Sequence, residues 1–182
     1  MENGDVSVKS LSPSIEPPDS HYLSSAVGWM ELGNLTEANL ELERLSPAVW
    51  QHPEVLEVKW LLDSKAERWD CCLKWAESLL NVVPENPTGW IHRAYALRRV
   101  VGGGLTSAFE ALLPAVEKFP QEAVIPYNLA CYLCRMGRME ECRHFLEIAF
   151  KRGNPQAMKK MALQDEDLKE LWPELQGSKG QT

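Results

Sequence analysis

What this chain of 182 residues lacks is informative. No apolar run approaches the ~20 residues of a membrane-spanning helix. The opening MENGDVSVKSLSPSIEPPDS has neither a basic start nor an apolar core, so no secretion signal is expected. There is no block of Lys and Arg: 19 basic residues stand against 26 acidic ones, a net charge of −7, which is a poor electrostatic footprint for nucleic acid. Neither GxxxxGK[ST] nor GxGxxG is present to cradle a phosphate, and Gly102-Gly103-Gly104 is the only glycine cluster. There is no HExxH, and the four histidines (His21, His52, His92, His144) are scattered with no Ser or Cys at a fixed spacing. No alternating pattern of useful length marks a strand.

The five cysteines (Cys71, Cys72, Cys131, Cys134, Cys142) are an odd number. With no secretion signal, reduced thiols and a cytoplasmic location are expected. Cys131, Cys134, Cys142 and His144 form C-x2-C-x7-C-x-H, which has the residue types of a zinc site. However, Cys131 and Cys134 sit inside a helical stretch (YNLACYLCRMG) rather than on a turn, and no strand precedes them as a redox C-x-x-C would require. They are expected to be small packing residues. No metal and no cofactor is expected.

Residues 1–19 hold Pro13, Pro17 and Pro18 among serines and acids and are expected to be a mobile leader, and 176–182 (QGSKGQT) a flexible tail. Between them the chain is helix-rich, broken by Gly and Pro at regular intervals. A small residue recurs at Ala38, Cys72, Ala108 and Cys142, with spacings of 34, 36 and 34 residues. Three places earlier stand Leu35, Trp69, Leu105 and Met139. Four places later come Leu42, Ala76, Leu112 and Leu146, and seven later Leu45, Leu79, Ala115 and Ala149. These offsets trace one face of a helix. A turn precedes each such helix (Gly33, Lys65 to Glu67, Gly102 to Gly104, Gly137), and another apolar-periodic segment precedes each turn. The unit is a helical hairpin of about 34 residues, in which a side chain no larger than Ala or Cys lets two antiparallel helices approach closely.

On these residues, 20–154 resembles four tandem tetratricopeptide repeats. The fourth is the best match, with Tyr127, Asn128, Leu129, Ala130, Gly137, Cys142, Leu146 and Ala149 on signature places. Trp69, Cys72, Ala76, Leu79 and Pro84 carry the second, Trp90, Ala108 and Pro120 the third, and Leu32, Gly33, Leu35 and Ala38 the first. The resemblance implies an all-α, right-handed α-solenoid, with repeats at about 20–52, 53–86, 87–122 and 123–154 and a cap over 155–175. Leu163, Leu168, Leu171 and Trp172 are expected to cover the last repeat's apolar face, which a solenoid must shield. Three departures stand out. Lys59 occupies an apolar place and Trp60 a small one, so packing there is expected to shift, and Pro114 is expected to kink or split its helix.

The same resemblance puts the first helix of each hairpin on a concave groove that binds a protein partner. Its implied lining runs through Leu23, Val27, Met30, Glu54, Glu57 and Leu61 to Tyr95, Arg98, Arg99, Tyr127 and Arg135. It is apolar and acidic at the N-terminal end, aromatic and basic at the other. The carboxylate clamp of chaperone-binding relatives is unsupported, because Leu23 and Val27 occupy its first-repeat places. Tyr95, Arg98, Arg99, Tyr127 and Arg135 are the partner-site candidates, suited to an acidic protein or peptide segment. A solvated helix face would account for the arginines equally well. Trp50 is the one tryptophan expected as an exposed anchor, and Asp165-Glu166-Asp167 is expected to be helix-start or surface charge. The expected function is a non-enzymatic scaffold or adaptor. The alternative is homo-oligomeric assembly through Leu23, Val27 and Met30, and a metal or redox role ranks last.

Overall fold

The computed structural model describes residues 13–177, and the remainder of the expected leader and tail lies outside them. Helix α1 (Asp19–Glu31) pairs with α2 (Leu35–Glu43), α3 (Pro53–Lys65) with α4 (Trp69–Val82), and α5 (Pro87–Leu97) with α6 (Leu105–Leu112) and the short α7 (Ala115–Lys118). A fourth hairpin joins α8 (Val124–Arg135) to α9 (Met139–Arg152), and α10 (Pro155–Ala162), a 3-10 segment (Glu166–Leu171) and α11 (Trp172–Gly177) follow. No strand occurs among the described residues. The architecture is the expected all-α solenoid. Pro114 splits its helix, separating α6 from α7.

Local chemistry fixes where the helices begin. Proline opens α3, α5 and α10, where its missing N–H removes no helical bond. The side chains of Asn34, Asn86 and Asn154 accept from backbone N–H groups of Glu37, Thr88 and Ala157 to cap their helices. His52 caps α3 through Nδ1, which accepts from the Glu54 N–H, and its Nε2 meets the Pro13 carbonyl at 2.8 Å. With Ile15 packed against the first hairpin, this anchors the part of the expected leader that is described.

Within three hairpins the turn needs one left-handed residue two places before the second helix. Gly33 (φ 78°) and Gly137 (φ 75°) provide it at little cost, whereas Glu67 (φ 56°) adopts it with a side chain. The third turn is longer, and a Cβ on Gly103 would lie 2.0 Å from the Leu97 carbonyl oxygen.

Ala38, Cys72, Ala108 and Cys142 are all fully buried, as the period requires. At the departures, packing is rebuilt around aromatics. Trp60 is buried, its ring stacked on His92 with centroids 3.7 Å apart and edge-on to Tyr95 at 5.8 Å. Lys59 keeps its cation by lying between Trp50 and Trp75, 5.3 and 5.1 Å from their centroids. Asp63, the buried charge of that region, accepts from Trp75 Nε1 at 2.6 Å and from Arg68 Nε. Trp50 is exposed, as expected, at 46 %.

A Cβ on Gly137 meets nothing, so Gly137→Ala is expected to lose about 1–2 kcal/mol through backbone strain alone, while Glu67→Gly loses nothing or gains up to about 1 kcal/mol; urea unfolding of each checks this. Burial holds His92 at about pH 4, below its ordinary value, so the folded state resists its protonation. Stability present above the unfolded value near 6.5 is expected to fall by about 3 kcal/mol as pH drops towards 4. His92→Phe, which keeps a ring on Trp60, should remove that part of the pH dependence from the unfolding curves.

Candidate functional site: the concave face

Helices α1, α3, α5 and α8, the first of each hairpin, present the residues expected to line the groove, except that Arg98 and Arg99 stand in the turn directly after α5. Its two ends differ in what they face.

At the C-terminal end the groove is occupied by the chain itself. After α10 the backbone turns at Asp165, whose Oδ1 accepts from the Asp167 N–H at 3.0 Å and starts the 3-10 segment. That turn lays two carboxylates against α5 and α8. The Tyr127 hydroxyl donates to Asp165 Oδ2 at 2.9 Å, and the Cys131 thiol donates to the same oxygen at 3.5 Å. Arg98 takes Asp167 with both arms of its guanidinium, Nη2 to Oδ1 at 2.8 Å and Nη1 to Oδ2. Arg135 Nε stands 3.7 Å from Asp167 Oδ1. Beyond them Leu168 and Leu171 are buried, and Trp172 Nε1 donates to the Ala162 carbonyl at 2.9 Å. Outside the groove, Arg143 of α9 holds Glu174 at 2.6 and 2.9 Å.

The acidic triplet is therefore not simply the surface or helix-start charge that the sequence suggested. Asp165 and Asp167 are ligands of the groove, while Glu166 is exposed. Of the five candidate residues, Arg98, Tyr127 and Arg135 converge on this segment. Tyr95 remains exposed, and Arg99 stacks on it with its guanidinium 3.6 Å from the ring centroid, also 5.0 Å from that of Trp69. Burial opposes ionisation of Asp167, yet the Arg98 hydrogen bonds and the charges of Arg98, Arg135 and Arg99 outweigh it and hold the carboxyl below the usual range. Burial, reinforced by the neighbouring Cys131 and Asp165, pushes the Tyr127 hydroxyl up and keeps it a donor.

The cysteines are free. Cys134 of α8 and Cys142 of α9 are both buried, and burial raises the Cys142 thiol to about 12. His144 is exposed, and no group of three or more His, Cys, Asp or Glu has a metal-holding arrangement among the described residues. Such thiols are weak nucleophiles at neutral pH.

At the N-terminal end no described residue fills the groove. Leu23, Ser24 and Val27 of α1 face Glu54, Glu57, Val58 and Leu61 of α3 around a concavity of about 390 Å3. Leu61 is 41 % exposed, whereas Leu23 and Met30 are buried in the first hairpin's core, which leaves less of the apolar stripe expected for homo-oligomeric contact. Glu57 is half-buried, and burial together with the charge of Glu54 pushes its carboxyl above the usual range.

This geometry has solved counterparts. A thermophilic TPR protein of Thermus thermophilus, TTC0263, superposes with a TM-score of 0.66 at 19 % identity, over 86 % of this chain and 82 % of that one. The fold is that of a tetratricopeptide-repeat solenoid. A MamA double mutant (RS-1 ArsTM) superposes with a TM-score of 0.63 at 14 % identity over 78 % of this chain and 79 % of its own. MamA MSR-1 C2 does so at 0.57 and 18 % identity, over 88 % and 94 %. No family model matches the sequence, and no curated protein matches it either. No helix among the described residues is long and apolar enough to cross a membrane.

The pairing of groove and triplet was missed although both halves were visible in the sequence. The signal is complementarity of charge and donor: two acids, Asp165 and Asp167, after the last repeat, and Arg98, Tyr127 and Arg135 at the end of α5 and on α8. Asp167→Asn is expected to lower stability by about 1–3 kcal/mol, since it leaves Arg98 half-buried without its anion. The depressed acid contributes stability above its unfolded value near 3.9 and loses it as pH falls through the lower folded value. Thermal unfolding of wild type and Asp167→Asn should therefore converge as pH drops below about 4.

Proposed function

We propose that this chain is a non-enzymatic adaptor that holds a segment of a protein partner along the concave face of its repeats. The observation that carries the reading is that α5 and α8 already hold a peptide segment there, Asp165 to Leu171 of the same chain, by paired charges, a tyrosine hydroxyl and buried leucines. A surface that grips one segment in cis has the chemistry to grip another in trans. Arg98, Tyr127 and Arg135 serve the internal segment, so partner contact falls to the open half of the groove and to Tyr95 and Arg99 at its border. Arginine and tyrosine are the residue types that dominate binding energy at such borders. The TPR-like neighbours support the scaffold class through fold alone.

The test compares capture from host lysate by the wild-type chain, by Leu61→Asp and by the pair Tyr95→Ala with Arg99→Ala, each checked for helical content by circular dichroism. These side chains are exposed or border the groove, so folding is expected to persist. Loss of the same partner in both variants is the expected result. Retention in both would remove the concave face from the function.

A further inference from the structure

We infer that the open, N-terminal half of the groove selects a partner segment that is basic and apolar, the opposite sign to the segment held at the other end. This deepens the adaptor reading and rests on it.

The filled half shows how this groove recognises chain. Its walls are cationic, Arg98 and Arg135, and its occupant is anionic. The occupant's charges meet the walls while its leucines, Leu168 and Leu171, are buried against the apolar helices beneath. In the open half the wall charges are reversed. Glu54 and Glu57 stand one turn apart on α3, beside the apolar Val27, Val58 and Leu61. Neither carboxylate forms an ion pair among the described residues, whereas the two charges nearest the core of the same hairpin do find partners, Asp63 in Arg68 and Lys59 between two indoles. Glu57 is half-buried, and only burial and the like charge of Glu54 act on it, both against ionisation. A cation placed between them would relieve the repulsion of two neighbouring carboxylates and neutralise a partly desolvated one. An acidic segment would add a third like charge at the same place, which costs affinity and so rejects it.

The internal segment also explains why the two halves do not compete. It neutralises Arg98 and Arg135 in cis, so an acidic ligand must displace Asp167 to reach them. Acidic partners therefore meet an occupied surface, and basic ones an open one.

The test is selection of random dodecapeptides on the full chain, followed by fluorescence anisotropy of the selected peptides. Enrichment of Lys or Arg beside Leu, Ile or Phe is expected, with affinity falling as salt rises. The variant Glu54→Lys with Glu57→Lys should weaken the selected peptides by at least about tenfold, because it converts attraction to repulsion. The same reversal at Glu110 and Glu117, exposed on α6 and α7, should leave binding unchanged and so control for the overall acidity of the chain. Glu54→Gln with Glu57→Gln guards against misfolding of the charge-reversed chain and should weaken binding by a smaller factor. Four results would overturn the inference: selection of acidic peptides, no enrichment at all, basic peptides indifferent to the Glu54 and Glu57 reversal, or equal loss in the control reversal. If a lysate partner is lost on Leu61→Asp but its bound segment proves acidic, the charge assignment falls while the adaptor reading survives. If the selected peptides are basic yet indifferent to the reversal at Glu54 and Glu57, and a lysate partner is retained by both groove variants, the site lies elsewhere and both fail.

Discussion

Everything in this molecule rests on four contacts of one kind: the fully buried Ala38, Cys72, Ala108 and Cys142, each early in the second helix of a hairpin. A hairpin of two helices cannot bury enough apolar surface to be stable alone, so each must present a matching face to the next. A small side chain at the crossing fixes how closely the two helices approach. A larger one forces either strain or rearrangement. Repetition of that one distance is what turns four hairpins into a solenoid with a continuous concave face.

The second hairpin shows what happens when the pattern is broken upstream of the crossing. Trp60 brings a large ring to a place where repeats usually hold a small residue, and the neighbouring hairpin answers with His92 stacked flat against it. The change is absorbed by aromatic surface rather than by moving Cys72, which stays buried with its thiol towards the Trp60 carbonyl at 3.7 Å. Lys59, Trp50 and Trp75 extend the same solution outwards: a cation replaces an apolar contact and is held by ring faces. Its charge is depressed by burial but supported by Asp63.

The hairpins, the turns and the cap could be read from the sequence because each depends on short-range chemistry with a fixed spacing. The 34-residue recurrence of Ala38 to Cys142, the Gly33 and Gly137 turns and the break at Pro114 all have local causes, and all appear where they were expected. The site was legible only in part. Tyr95, Arg98, Arg99, Tyr127 and Arg135 are placed on one face by the resemblance to the repeat family, which says where residues point but not what they meet. Asp165 and Asp167 lie far along the chain from α5 and α8, in a segment whose path depends on how α10 packs. A contact of that range is set by tertiary geometry, and composition alone could show only that charges of opposite sign existed. The same limit applies to Glu67, whose left-handed conformation follows from the turn and not from any preference of glutamate.

A solenoid has to end, and the manner of ending here shapes what the groove can do. The apolar face of the last repeat is covered by Leu168, Leu171 and Leu175. Leu168 and Leu171 lie on the same short segment that carries Asp167, directly after Asp165, so covering the repeat and filling the groove are one event. Folding of the cap neutralises the basic wall, and the basic wall in turn holds the cap. The acidic wall made by Glu54 and Glu57 has no such internal partner among the described residues, because it belongs to the first hairpins, far from the segment that closes the array. The division of the groove into a self-satisfied half and an open half thus follows from where the chain ends its repeats. The open half keeps its charge because nothing in the repeat pattern obliges the described chain to supply a counterion there.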